Sequence, residues 1–436
     1  MARLLLVSLA GLQIFLIVGP LAGLKLFTVY GLALFLVIAL VRAKRATRIL
    51  ASLLAVATIS LSLGTRRPEL LLDGLGTTLV FTAFLVVLQA IRVVAEISPE
   101  IALARSRFAG LTARTEIAGF TLGAYGVGVV LTASAQSLLA PLVAEGTPLA
   151  RRRQIAEAAL RGSALAPLWS PFFVALAFTT HYLPLVPLWQ ILPLGFAMAL
   201  LGILLSLIMF GWPHRTDQVG TGLAPALRGL APLALPVLSA AGIVVACSVG
   251  FGFSTLQSVV LTMPLAAFGL VTLRSPRNLF GVLRSTWVQM ARINDEVLLV
   301  VMSMLLGVVL ESTPGLSSLL TPWVTSWPPT ALVALAIGGM ILGGMMGAHP
   351  LITGTLILTI MPTGATGLGD LALMQAVLIG WGVSATLSPS GITLLMSSSF
   401  FQVPFRQLAY GPNLAYAAAF TLLASLLLGG LDGLIR

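Results

Sequence analysis

Two apolar runs carry a serine followed by a proline at mid-length. LAPLWSPFFVALAF holds Ser170 and Pro171, and SATLSPSGITLLMS holds Ser388, Pro389, Ser390 and Gly391. Proline has no N–H, and its ring displaces the carbonyl one turn earlier, so each Ser-Pro releases peptide groups from the helix ladder. Released amides at a helix start suit an anion, whereas released carbonyls and hydroxyls suit a small cation. Upstream of each break lies a second interrupted apolar segment. GAYGVGVVLTASAQSLLAPLV contributes Thr132, Ser134 and Gln136, and GGMILGGMMGAHPLITGTLILTIMP contributes His349, Thr353 and Thr355. Backbone that leaves the helix inside a bilayer must be satisfied by protein or by cavity water, so such segments tend to line a site.

These twelve residues form the candidate substrate site, and several have two readings. His349 could pair with an anion or carry a proton, since imidazole changes charge near neutral pH; it could equally be a neutral ring bonded to backbone beside Pro350. Gln136 could orient a polar substrate or tie its own segment in place. Trp169 could be a stacking wall or a packed core ring. A sodium site could be assembled from the hydroxyls of Thr132, Thr353 and Ser388 with nearby carbonyls. Glu116, Glu145, Glu157 and Asp370 fall at segment ends, with Asp73 and Glu311 near the outer faces of their spans. Without a mid-span carboxylate, a cation or multidrug/proton exchanger is disfavoured.

Enzymatic chemistry finds no support. The chain has no HExxH, GxSxG, P-loop or GxGxxG after a strand; its single cysteine excludes a cysteine-based metal cluster, and three histidines with one cysteine cannot assemble much chemistry. No cofactor is expected, and energy must come from a gradient or a partner.

The elements that position these residues follow from composition. Of 436 residues, 58% are hydrophobic and 8% charged, with mean hydropathy +1.06, which marks a polytopic α-helical membrane protein. Spans are expected at 4–19, 22–41, 49–64, 70–94, 155–182, 186–211, 229–250, 255–275, 294–313, 371–400 and 411–433. The first is read as a retained span, not a cleaved leader. With the N-terminus inside, twenty of the 24 Lys and Arg fall on the cytoplasmic side, leaving Lys25, Arg66, Arg67 and Arg436 outside. That division requires 117–143 and 329–362 each to enter and leave by one side, as re-entrant hairpins; the alternative is one long kinked helix for each. RSRFAGLTAR and RSPRNLFGVLRSTWVQMAR are expected to lie against anionic headgroups, so the +11 charge points to lipid and not to nucleic acid.

The segments repeat. Pro141 matches Pro362, each ten residues after a small hydroxyl-rich turn, and Ser170-Pro171 matches Ser388-Pro389. Each unit reads hairpin, loop, broken span, and the charge pattern orients the two oppositely, as in inverted-repeat transporters. At these residues the chain resembles the ion transporter superfamily, which includes divalent anion/sodium symporters and membrane subunits of tripartite dicarboxylate transporters. The symporters carry Ser-Asn-Thr at each hairpin tip; here those places read Leu131-Thr132-Ala133 and Ile352-Thr353-Gly354, without asparagine. The resemblance implies a homodimer with a fixed scaffold and an elevator-like transport domain. The expected division is 1–115 scaffold and arm helix, 116–211 first transport unit, 212–328 linker and second scaffold spans, and 329–436 second transport unit with the last span. The expected function is secondary transport of a small organic anion, coupled to sodium or protons, in a bacterial inner membrane with the C-terminus outside. A flippase or channel for a hydrophobic solute, or a membrane component that assembles partners, are the alternatives.

Overall fold

The structure is a computed structural model that describes residues 2–108, 115–211, 223–312, 326–361, 366–389 and 391–435. The expectations on Pro362, on Ser390, on Arg436 and on residues 109–114 of RSRFAGLTAR fall outside the described residues. Every element among the described residues is helical. Among the described residues, nine helices are long and apolar enough to cross a membrane, or ten when a pair bent by 59° is counted as one more. The chain is an integral membrane protein.

The eleven expected spans are adjusted in two places. The span expected at 155–182 with a break at Ser170-Pro171 is two helices, α8 (Leu149–Leu165) and α9 (Val174–Tyr182), separated by eight residues. α1 (Ala2–Val18) has only 17 residues, and α14 (Asn294–Glu311) passes only with the short helix before it. Conversely, Glu116–Leu142 and Asp370–Phe401 each qualify by length and composition.

The chain divides into two compact units. Unit one takes residues 1–94, 242–322 and the short stretch Leu358–Ile360. It contains α1, α2 (Ala22–Arg42), α3 (Arg45–Gly64), α4 (Glu69–Glu96), α12 (Thr255–Arg274), α13 (Leu279–Gln289) and α14. α4 is apolar on all sides and largely buried, as a helix must be when neighbours surround it. Gly74 lets Leu305 and Val308 of α14 approach it closely. Polar pins fix one end: Gln89 donates to Gln289 at 2.7 Å, Arg92 pairs with Glu296 at 3.7 Å, and Thr47 donates to Asp295 at 3.1 Å.

Unit two takes most of the remainder and contains both interrupted segments. Its helices are α5 (Pro99–Phe108), α6 (Glu116–Leu131), α7 (Ala135–Leu139), α8, α9, α10 (Leu188–Phe210), α15 (Pro329–Met345), α16 (Pro350–Ile360), α17 (Asp370–Leu387), α18 (Ile392–Phe401), α19 (Phe405–Ala409) and α20 (Pro412–Ile435). α11 (Leu223–Phe251) belongs partly to each unit. α6 packs along α8, and α15 packs along α17, so each interrupted segment lies on the first half of the broken helix that follows it. The second halves exchange. α18 packs on α7 and on the turn before it, while Phe178 of α9 lies against Gly354 of α16.

Candidate functional site

The first interrupted segment turns back on itself. As a continuous helix its 27 residues would span about 40 Å. Instead its two ends meet a common neighbour. Phe120 stacks edge-on with Phe401 at 6.2 Å, and Ala140 lines a small surface cavity with Phe401, Gln402 and Arg152. Glu116 is held there by Arg151 at 2.8 Å, and Arg152 donates to Gln402 at 2.7 Å. The reversal is made at Thr132–Ser134, a single 3-10 turn, where Thr132 adopts φ +55° and ψ −129°. That backbone region is close to glycine-only, and holding a β-branched residue in it costs about 1–3 kcal/mol.

The second segment reverses more openly. α15 and α16 run antiparallel, with Gly343 against the Thr353 methyl, Gly339 near Ile357 and Gly354 near Met340. Gly347 at φ +91° ends α15, and the Ala348 amide closes the turn on the Gly343 carbonyl at 2.9 Å. His349 then caps α16: its Nδ1 accepts the Leu351 amide at 3.3 Å, with Pro350 at the first helical position.

Both broken helices open where Ser-Pro stands. α8 unwinds through a 3-10 turn at Ala166–Leu168, Trp169 and Ser170, then restarts at Val174. α17 stops at Leu387, and α18 restarts at Ile392. The buried Ser170 hydroxyl donates to the Val129 carbonyl at 2.6 Å and accepts the Phe172 amide at 3.2 Å, which ties the first break to the tip of the first hairpin. Buried Ser388 accepts the Gly391 amide through its carbonyl at 2.8 Å, and any Cβ on Gly391 would collide with the Ala385 carbonyl. The first halves cross at backbone contact: a Cβ on Gly382 would overlap the Ala164 carbonyl.

The remaining candidates fall around these breaks. Gln136 is fully buried and donates to Ser163 at 2.7 Å and to the Ala159 carbonyl at 3.4 Å, holding the first hairpin on α8, while its Oε1 has no partner among the described residues. Ser134 is half-buried, with its carbonyl accepting from Ser137. Pro171 is buried and Pro389 half-buried. Thr353 donates to the Pro350 carbonyl at 3.2 Å; Thr355 is buried, and its hydroxyl has no partner among the described residues. His349 lies edge-on to Trp381 at 6.4 Å, and Trp381 meets Phe178 at 5.6 Å, so the second tip joins both broken helices through aromatic contact. Trp169 donates to the Tyr125 hydroxyl at 2.8 Å and packs on Phe196. No group of three or more His, Cys, Asp or Glu that could hold a metal occurs among the described residues.

Two buried charges, Arg161 and Asp432, escaped the sequence reading. Arg161 of α8 is 3% exposed, donates to Ser206 and Asn413 at 2.8 Å each, and lies 4.3 Å over the Phe210 ring. It stands one turn beyond Glu157, which is itself buried and bonded to Arg153 at 2.7 Å. The signal was available: Arg161 sits four residues after Glu157, inside the expected span 155–182.

No protein-family model matches the chain, and no curated protein matches it. Among solved structures the chain is similar to the crystal structure of the YdaH transporter of Alcanivorax borkumensis, at 17% identity over 80% of this chain and 85% of that one, with a TM-score of 0.45.

Proposed function

We propose that the chain is a secondary active transporter of a small organic anion, of carboxylate or sulfonate type, working as a homodimer by an elevator-like movement. Sodium or protons supply the gradient, and the membrane is a bacterial inner membrane with the N-terminus cytoplasmic. The observation that carries this reading is the bond from Ser170 to Val129 at the first hairpin tip, made where α8 has lost its helical ladder and α17 crosses it in backbone contact. Two hairpins and two breaks thus converge in one unit, with no Asp, Glu, Lys or Arg from Gly162 to Tyr182 or from Leu371 to Phe405. The fixed field at the breaks comes from helix ends and hydroxyls, which stabilise an anion without burying a counter-charge.

A thermal-shift screen of the purified protein against organic acids, with and without sodium and at two pH values, identifies the ligand. Flux of that ligand into proteoliposomes should then saturate and follow the imposed gradient. Ser170→Ala with Ser388→Ala should abolish it while the protein remains folded; undiminished flux would remove the assignment. A second reading, movement of a hydrophobic solute, is favoured by an apolar groove of about 370 Å³ between α15 and α20, lined by Gly338, Ile341, Met345, Ala417 and Leu422. Lipid scrambling without organic-acid flux would select it.

A further inference from the structure

A different surface, in unit one, points to a ligand independently of the transport reading. α13 follows α12 directly through Ser275 and a 3-10 turn at Pro276–Asn278, and the stretch Pro276–Gln289 is inclined 59° to α14. One face is anchored: Val282 packs with Val93, Val94 and Val271, Thr286 is buried, and Gln289 is bonded to Gln89. The opposite face is apolar and open, with Phe280 78%, Leu283 45%, Trp287 41% and Val288 52% exposed. At helical spacing Phe280, Arg284 and Trp287 of α13 fall within an arc of about 60°, Arg277 stands in the turn just before it, and both arginines are exposed.

No acidic residue occurs from Leu270 to Asn294, so this face carries positive charge without local compensation. The next two carboxylates are engaged elsewhere, Asp295 with Thr47 and Glu296 with Arg92. A short helix held between two spans, with an aromatic and aliphatic stripe edged by arginine, has the chemistry of a membrane-surface element that selects negative headgroups. Indole favours the headgroup level and guanidinium binds phosphate in a bidentate manner.

We propose that the exposed face of α13 is a binding site for anionic phospholipid, with Phe280, Leu283 and Trp287 set into the acyl boundary and Arg277 and Arg284 on the headgroup. The test uses the full chain in detergent micelles, titrated with brominated phosphatidylglycerol or brominated phosphatidylcholine. The signal is the part of the tryptophan quenching that disappears in Trp287→Phe. Phosphatidylglycerol should quench at the lower concentration, and the preference should fall about fivefold for each arginine replaced in Arg277→Gln and Arg284→Gln. High salt should reduce the preference of the unaltered protein in the same way, a readout that needs no variant to fold. Equal quenching by the two lipids, or a preference that survives both substitutions, would overturn the proposal. Absence of Trp287 quenching, with cross-linking of two copies through Phe280→Cys in a Cys247→Ser background, would overturn it too and assign the face to a second copy of the chain.

Discussion

At the scale of the residue, His349 shows how a side chain suited to chemistry can be committed to structure. Its Nδ1 takes one of the orphan amides at the start of α16, so the hairpin tip depends on an acceptor at this position. His349→Ala should lower stability by about 1 kcal/mol, the usual effect of losing a cap, and His349→Asn should restore most of it, since asparagine offers an acceptor at similar reach. Thermal unfolding of the purified variants checks this, and equal losses for both would show that the ring's packing on Trp381 matters more than the cap. Arg161 teaches the converse. In the sequence it is one basic residue among 24, and a span reading places such charges at membrane edges. The structure places it 3% exposed among Ser206, Asn413 and Phe210, because residues from two other helices, α10 and α20, supply partners that no local pattern announces. Buried charge is tolerated only where such partners exist.

At the scale of the element, long apolar runs announce themselves while their interruptions do so only in part. The expected spans 22–41, 186–211 and 255–275 match Ala22–Arg42, Leu188–Phe210 and Thr255–Arg274 to within two residues, since bilayer thickness fixes length and polar flanks fix ends. Ser170-Pro171 marked where α8 breaks, but not that the break runs from Ala166 to Phe173. That extent reflects Pro167, which stands inside the 3-10 turn Ala166–Leu168 and has no N–H to continue the α ladder. The crossing of α8 and α17 was not legible at all, because it joins residues more than two hundred positions apart. It depends on Gly382, where a side chain would strike the Ala164 carbonyl. Gly382→Ala should therefore destabilise the protein by about 1–3 kcal/mol, the range for overpacking against a backbone that cannot yield. Gly338→Ala on α15, where a Cβ meets open space, is the control and should be neutral or slightly stabilising, because alanine favours the helix. Indistinguishable melting temperatures for the two would mean the crossing is looser than its geometry.

At the scale of the whole molecule, the question is whether the two hairpins open to opposite sides of the membrane. The base of the first is ringed by guanidinium: Arg151 on Glu116, Arg152 on Gln402, and Arg153 on Glu157. Around the second, Asp432 accepts the Gly369 amide at 2.8 Å beside Asp370, and no Lys or Arg occurs from Ser326 to Phe405. Basic residues are retained on the cytoplasmic side, so the proposed topology, with the first base inside and the second outside, agrees with this contrast. Glu145 and Ser326 are exposed positions at the respective bases. In a Cys247→Ser background, Glu145→Cys should react with an impermeant thiol reagent only in inside-out vesicles, and Ser326→Cys only in right-side-out ones. Labelling of both from one side would mean that one segment crosses the bilayer despite its reversal, and the two units could no longer be inverted copies. Opposite labelling would leave the broken helices facing each other from mirrored directions, the arrangement that lets one set of freed peptide groups be reached from either side in turn.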